Sequence, residues 1–275
     1  MSIPSPTDAP WGAYKPSGWR RTWLRLLHAL PSGSGWRRLA LWLRRPLKNS
    51  FGAWVDLEVW GLNLRLRSRG NLSEQRLILM PQFLDTTERE ALADFLRDGG
   101  VFFDIGANAG VYSLWIASLR NPAIHGEAFE PDPELCGLLT ANLAANAIAN
   151  IHLNNCALGR SEGSVVLVSG AGNKGENRVE SAASGETGLS VTMTTLPAFL
   201  AAKNIARIDA LKIDVEGHEV DVLEPLFTGA PRTTWPRLLI CEVTHDGDHR
   251  LGDLLARNGY TLSANGRLNG IYRLG

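Results

Sequence analysis

The chain has 275 residues and a mass of 30.0 kDa, room for one large domain or for one with a substantial arm. A 44% hydrophobic and 20% charged composition excludes a disordered chain, and 28 basic side chains cancelled by 28 acidic ones give no net-charge footing for a nucleic-acid partner. The balance hides an asymmetry: residues 1–50 hold nine Lys/Arg and one acid, residues 101–275 hold 13 basic and 19 acidic side chains, and seven of the nine Trp fall in the first 60 residues.

Residues 1–18, rich in Pro, Ser and Gly, predict a flexible lead-in. Two short amphipathic helices follow, Trp19–Leu30 and Trp36–Leu47, separated by the breaker PSGSG. Between Trp19 and Leu47 stand seven Arg, four Trp and no acid, the composition of helices lying at an anionic membrane surface. The competing expectations are that both helices pack on the core, their Arg stems covering apolar surface, or that the segment is a lid or dimer contact whose Arg neutralise acids of residues 101–275. From Phe51 to Arg69 a period of two predicts a hairpin turning near Trp60–Gly61. Thr87 and Glu90 have capping-box spacing for a helix from Thr86 to Leu96, ended by Gly99-Gly100.

Beyond Gly100, apolar strands alternate with helical stretches. VFFDI (101–105), AIHGEAFE (123–130), IHLNNCAL (151–158), IDALKIDV (208–215) and RLLICEV (237–243) are the strands, with a final antiparallel pair near Tyr260–Leu262 and Gly270–Leu274. This pattern predicts an α/β fold with a parallel sheet covered on both faces. The hydrophilic stretch 169–188 reads as a long loop. The chain thus divides into a basic, Trp-rich arm (1–50), a hairpin and helix packing on the core (51–100) and a ligand-binding domain (101–275). Three scattered cysteines, Cys136, Cys156 and Cys241, make no disulfide framework or zinc motif and fit a reducing compartment. No apolar run reaches the ~18–20 residues of a membrane span and the start has no signal-peptide core, so a cytoplasmic protein is expected, held peripherally at the inner membrane face if the arm binds lipid.

Ligands of open α/β sheets sit beyond the carboxyl ends of the strands. There the sequence places Asp104-Ile105-Gly106-Ala107-Asn108-Ala109-Gly110, then Glu130-Pro131, Cys156-Ala157, Asp214-Val215-Glu216-Gly217-His218 and Glu242. A dinucleotide fingerprint fails at two of its three glycines, where Asn108 and Val111 stand. S-adenosylmethionine fits better: Gly106 and Gly110 let main chain approach the ligand, Glu130 accepts from a ribose diol, and Asp104 pairs with an ammonium group. Ala107, Asn108, Pro131, Cys156, Ala157 and Asp214 complete the expected cofactor set.

The segments FFDIGANAGVYSL, AFEPDPELCGLLTANLAAN and LKIDVEGHEVDVLEP resemble the FkbM-type S-adenosylmethionine-dependent methyltransferases, over residues 84 to 245 or so. The resemblance implies a class I methyltransferase, Rossmann-like sheet of seven mostly parallel strands with the last pair antiparallel. It also implies methyl transfer to a hydroxyl of a sugar, glycan, glycolipid or related natural product. Many members have Thr-Leu-Asp where this chain has Thr195-Leu196-Pro197, which puts an acceptor contact in question.

Candidates for a general base are Asp214, Glu216 and His218, with His245 just past Glu242; His218 also fits a helix-capping role. Lys212, inside a buried strand, is expected in a structural ion pair, and His28, His125, His152 and His249 are expected to be structural or surface residues. Asp214 and Glu242 could alternatively hold a divalent cation for a small-diol methyltransferase, although no metal site is the default. A third alternative is a noncatalytic module that senses the cofactor and docks through the arm.

Overall fold

The computed structural model describes residues 9–168, 178–181, 188–242 and 249–275. The arm forms two helices, α1 (Gly18–His28) and α2 (Ser34–Leu43). Strands β1 (Trp54–Val59) and β2 (Leu62–Arg67) make the expected hairpin, in register from Trp54↔Arg67 to Val59↔Leu62. Its two turn residues, Trp60 and Gly61, both have positive φ, 53° and 73°, the turn geometry that matches strand twist.

Helices α3 (Leu72–Leu79) and α4 (Thr86–Phe95) follow. The sequence reading had no helix at α3, although Asn71 signals one: its side chain accepts from the Ser73 and Glu74 amides. Nor does the Thr87–Glu90 capping box form. Asp85, in left-handed conformation, is the N-cap, so Thr87 already lies inside the first turn.

In chain order come β3 (Gly100–Ile105), α5 (Val111–Ser118), β4 (Ile124–Phe129), α6 (Pro133–Ala145), β5 (Ile151–Asn154), β6 (Ala157–Leu158), β7 (Gly163–Val168), β8 (Arg178–Ser181) and β9 (Leu189–Thr194). The chain continues through α7 (Leu196–Lys203), β10 (Ala210–Ile213), α8 (Glu219–Gly229), β11 (Leu238–Glu242), α9 (Arg250–Arg257), β12 (Tyr260–Asn265) and β13 (Asn269–Leu274). Seven strands form one sheet in the order β12-β13-β11-β10-β3-β4-β5. The pairings β5/β4, β4/β3, β3/β10 and β10/β11 are parallel. Strand β13 inserts antiparallel between β11 and β12. The order reverses beside β3, and such a reversal opens a crevice at the strands' carboxyl ends.

A second sheet, in the order β6-β9-β7-β8, was missed. The expected strand 151–158 breaks in two because the chain turns at Asn154, whose carbonyl takes the Cys156 amide at 3.0 Å, and leaves the central sheet for the small one. The expected loop 169–188 contains β8; residues 169–177 and 182–187 lie outside the described residues.

Alternate residues of the central strands feed two cores. Phe102, Ile240 and Ile271 join the cluster that also buries Leu24, Leu27, Ala40 and Leu47 of the arm and Leu62, Leu64 and Leu66 of the hairpin. Phe103, Ile213 and Leu239 face α7, α8 and α9. The inner face of the arm is therefore packed on the core. Trp23 Nε1 donates to the Leu43 carbonyl at 2.7 Å and His28 Nε2 to that of Ile78 at 2.8 Å.

The described part of the lead-in is likewise tied down. The buried Asp56–Arg65 ion pair (2.7 Å) satisfies its spare valences on passing backbone: Arg65 donates to the carbonyls of Ala9 and Pro10, and Asp56 accepts from the amides of Gly12 and Tyr14. Among the described residues no helix is long and apolar enough to cross a membrane.

Candidate active site

The site is built where β3 ends. Gly106 and Ala107 donate their amides to the Phe129 carbonyl at 3.0 and 2.9 Å, binding the turn to the tip of β4. Gly106 has φ 72°, and a Cβ there would stand 2.0 Å from the Asp214 carbonyl oxygen. No side chain larger than hydrogen fits. Asn108, at φ 53°, donates its amide to Glu130 at 2.7 Å, and Asp132 donates its own to the other Glu130 oxygen at 2.8 Å. Glu130 is thus fixed by two backbone donors, with one lone pair left on each oxygen. Burial pushes its pKa up to about 7.

Asp104 is buried beneath this turn. Its Oδ2 accepts from the Ser113 amide (2.9 Å) and hydroxyl (2.6 Å), and burial raises its pKa to about 6. Opposite, Lys212 enters from β10, fully buried. Its ammonium donates to the carbonyl of Ile213 and to Asn269 Oδ1, 3.4 Å from Asp214 Oδ2. Burial opposes its charge, yet Asp214, Cys241, Asp104 and Asp85 outweigh that and hold its pKa above the ordinary value, so it is a fixed cation. Asp214 itself is half-exposed at the strand tip. The turn after it is held by Glu219, a buried carboxylate that accepts the Val215 amide at 3.0 Å.

Two clefts open on this frame. One, of about 360 Å³, is lined by Asp104, Gly106, Ala107, Asn108, Glu130, Pro131, Lys212, Asp214, Glu216 and Glu242. The other, of about 540 Å³, holds Cys156, Ala157 and His218 and meets the first at Gly106, Pro131 and Val215. Both fall in the size range of small-molecule sites.

The expected set is therefore split. His218 faces the second cleft, away from Asp214, and its Nδ1 bonds Asp221 at 2.9 Å within the first turn of α8, where His218 is the N-cap residue. Gly110 lines neither cleft; a Cβ there would stand 2.4 Å from Leu139, so its missing side chain serves packing against α6 instead of a ligand. His245 lies outside the described residues. Asp214 and Glu242 share the first cleft, and among the described residues no group of three metal-capable side chains forms.

Sequence reasoning missed Tyr112 and Asn269 of the first cleft's wall, and Asn71 and Glu88, which bond to wall residues from behind. Tyr112 donates its hydroxyl to Asp85 at 3.1 Å, Asn71 donates to the Asn108 side chain at 2.5 Å, and Asn269 donates to buried Glu88 at 3.0 Å. Leu72 and Arg76 of α3 also line the first cleft. Only Asn71 carried a sequence signal, its capping position.

The chain has known relatives. The model described as the methyltransferase FkbM domain matches residues 104–262. The chain is similar to the 31-O-demethyl-FK506 methyltransferase FkbM of Streptomyces tacrolimicus: 32% identity over 203 aligned positions, covering 62% of this chain and 75% of that protein. It is 27% identical to methyltransferase 1 of Beauveria bassiana over 148 positions, covering 47% and 59%. The crystal structure of an FkbM methyltransferase from Methylobacillus flagellatus superposes with a TM-score of 0.43 at 16% identity, covering 73% of this chain and 54% of that one.

Proposed function

The chain belongs to the FkbM methyltransferase family and is an S-adenosylmethionine-dependent methyltransferase, and from that premise we propose that it methylates a hydroxyl oxygen of a sugar, glycan, glycolipid or related natural product. The observation that carries this is Asp214: a half-exposed carboxylate lining the cleft, in salt-bridge range of a buried lysine and in the same cleft as Glu130 and Asp104. The S. tacrolimicus relative, by its name, acts on 31-O-demethyl-FK506.

The residues present fit the cofactor. Gly106 lets the turn after β3 close onto the Asp214 carbonyl at the edge of the cleft, Glu130 keeps lone pairs for a ribose diol, and buried Asp104 suits an ammonium group. Cys156 and Ala157, across Pro131, would flank the base. When bound, the cofactor supplies an electrophilic methyl on a sulfonium. Asp214 Oδ2 is turned toward Lys212, which leaves Oδ1 to orient the acceptor hydroxyl and take its proton. Such a base is worth about a hundredfold or more in rate, and alignment supplies much of the remainder. Lys212, charged throughout, positions Asp214 and does not itself act as base. Incubating the enzyme with methyl-labelled cofactor and fractionated extract tests the acceptor class; label in protein or nucleic acid, and not in carbohydrate, lipid or small molecules, overturns it.

Glu130 makes cofactor binding pH-dependent. With a pKa near 7, it is half-protonated at neutrality, whereas a ribose diol donating to it favours the carboxylate. Binding therefore lowers that pKa and releases a proton. Affinity for S-adenosylhomocysteine should rise with pH from 6 to 8, by no more than about tenfold per unit. In the cofactor-free protein the sign for folding is opposite: the folded state holds the proton more tightly, so this group's stabilisation is lost as pH rises through about 7. Calorimetry in two buffers of different ionisation enthalpy reads the released proton. Glu130→Gln should remove the part of the slope centred near pH 7 and leave the part that Asp104, with its pKa of about 6, adds near pH 6, and Glu130→Ala should cost ~1–3 kcal/mol of binding. A flat profile in the wild type removes Glu130 from the ribose.

The outward face of the arm supports attachment to an anionic membrane surface. Trp19, Leu26, Trp36, Leu39 and Trp42 are exposed there, as are Arg21, Arg25, Arg38 and Arg45. Each such charge contributes about 1 kcal/mol near an anionic leaflet, and Trp settles at headgroup depth. The protein should sediment with anionic vesicles at low salt and detach at high salt, and Trp19→Ala/Trp36→Ala/Trp42→Ala should stay in the supernatant. Wild-type protein that ignores the vesicles ends this reading. The inner face is part of the core, so point variants are the test and removal of the arm is not.

A further inference from the structure

A third cleft, of about 530 Å³, adjoins the first and shares Arg76, Leu84, Asp85 and Leu268 with it. Four arginines line it, from three separate parts of the chain: Arg37 of α2 and Arg44 at its C-cap, Arg76 of α3 and Arg267 of the β12–β13 turn. Arg37, Leu41 and Arg44 fall at i, i+4 and i+7, one stripe of α2, and all three line the cleft. None of the four arginines forms a salt bridge among the described residues.

Their charges crowd one another. Burial lowers the pKa of Arg37, and the charges of Arg267, Arg76 and Arg44 lower it further. The two carboxylates on the wall are already engaged, Glu88 with Asn269 and Asp85 with Tyr112, and the lining keeps a net +2. The first turn of α4 also borders the cleft through Thr86, Thr87 and Glu88. No side chain caps that helix, so its leading amides are open to an anion.

We propose that this cleft is the anion subsite of the methyl acceptor and binds a phosphate or diphosphate group carried by the same molecule whose hydroxyl is presented to Asp214. The proposal rests on reading the first cleft as the methyl-transfer site. A carboxylate carries one charge; four guanidinium forks match the oxygens and the higher charge of a phosphate or diphosphate better. The continuity of the clefts through Arg76 and Leu268 sets the form of the acceptor: a sugar whose phosphate leads away from the methylated hydroxyl. Such a group occurs on soluble nucleoside diphosphate sugars and on lipid-linked diphosphate sugars. Two of the arm's seven arginines, Arg37 and Arg44, thus belong to the substrate site.

Inorganic pyrophosphate is the probe, titrated at low ionic strength into the full-length protein, with S-adenosylhomocysteine affinity and melting temperature measured alongside. Wild type and the charge-matched control Arg21→Gln/Arg25→Gln, on the outward face of α1, should bind it equally. Arg37→Gln/Arg267→Gln should bind it roughly tenfold more weakly or worse, with S-adenosylhomocysteine affinity unchanged. Absence of wild-type binding at about 10 mM pyrophosphate overturns the proposal, and so does equal loss in both double variants. If wild type fails to bind S-adenosylhomocysteine, the reading of the first cleft falls instead. Competition then separates the sources: a nucleoside diphosphate sugar displacing the probe identifies a soluble acceptor, and a detergent-dispersed polyisoprenyl diphosphate displacing it identifies a lipid-linked one.

Discussion

Asp214→Asn should cut turnover by roughly a hundredfold or more and leave S-adenosylhomocysteine affinity within about threefold. The amide keeps the shape of the side chain and can still orient a hydroxyl, but it cannot take a proton at Oδ1. It also loses the charge that faces the Lys212 ammonium at 3.4 Å. Asp214 leads the charges that hold the buried Lys212 ammonium, so the variant also loses folding stability, and turnover is compared with cofactor affinity below its measured melting temperature. Parallel losses of turnover and cofactor affinity would assign Asp214 to the cofactor. Unchanged turnover would remove it from the chemistry. Adding EDTA to the wild-type assay checks the metal alternative, which predicts loss of activity restored by Mg²⁺; the proposed base needs no such restoration.

Gly106→Ala should be severely damaging for a single added methyl group. The new Cβ would stand 2.0 Å from the Asp214 carbonyl oxygen and 3.3 Å from Val215, at φ 72°. Both obstacles lie in the turn that carries the proposed base, and backbone cannot swing aside as a side chain can. A left-handed conformation alone costs an Ala about 1–2 kcal/mol, and the forced shift of β10 away from β3 adds to it. For a chain of this size the melting temperature should fall by roughly 5–10 °C, with cofactor binding lost. Two comparisons isolate the cause. Gly217→Ala has φ 93° but nothing within 4 Å, so it should show the conformational cost alone. Gly110→Ala meets the Leu139 side chain, which can rotate, and should fall between the two. Gly106→Ala with melting and cofactor affinity no worse than Gly217→Ala would contradict the close approach of β3 and β10 on which the cleft depends.

The alternation of apolar strands with helices was sufficient for the parallel sheet, because strands buried on both faces must be apolar throughout and their crossovers must be helical. The acids at the strand tips were legible for the same reason: carboxyl ends of such strands face a crevice, so Asp104, Glu130 and Asp214 stood out against their neighbours. The hairpin showed its period of two and its Trp60–Gly61 turn. The small sheet stayed hidden because β6 has two residues and a hydrophilic stretch separates β7 from β9; pairings that distant leave no local period.

What only the tertiary structure decided depends on directions in space. Sequence places Asp214 and His218 four residues apart, but the turn at Glu216 and Gly217, both at positive φ, sends them into different clefts. Gly110 and Gly106 look alike in the motif, yet one yields to Leu139 and the other to the backbone of Asp214. Lys212 reads as an isolated charge in an apolar strand until Asn269, 57 positions away, and Asp214 close over it. The arm's composition established that it is basic and amphipathic. Which arginines face outward and which turn into the cleft followed from the packing of Leu24, Leu27, Ala40 and Leu47 into the core, since burying that stripe fixes the rotation of each helix and with it the direction of every other side chain on it.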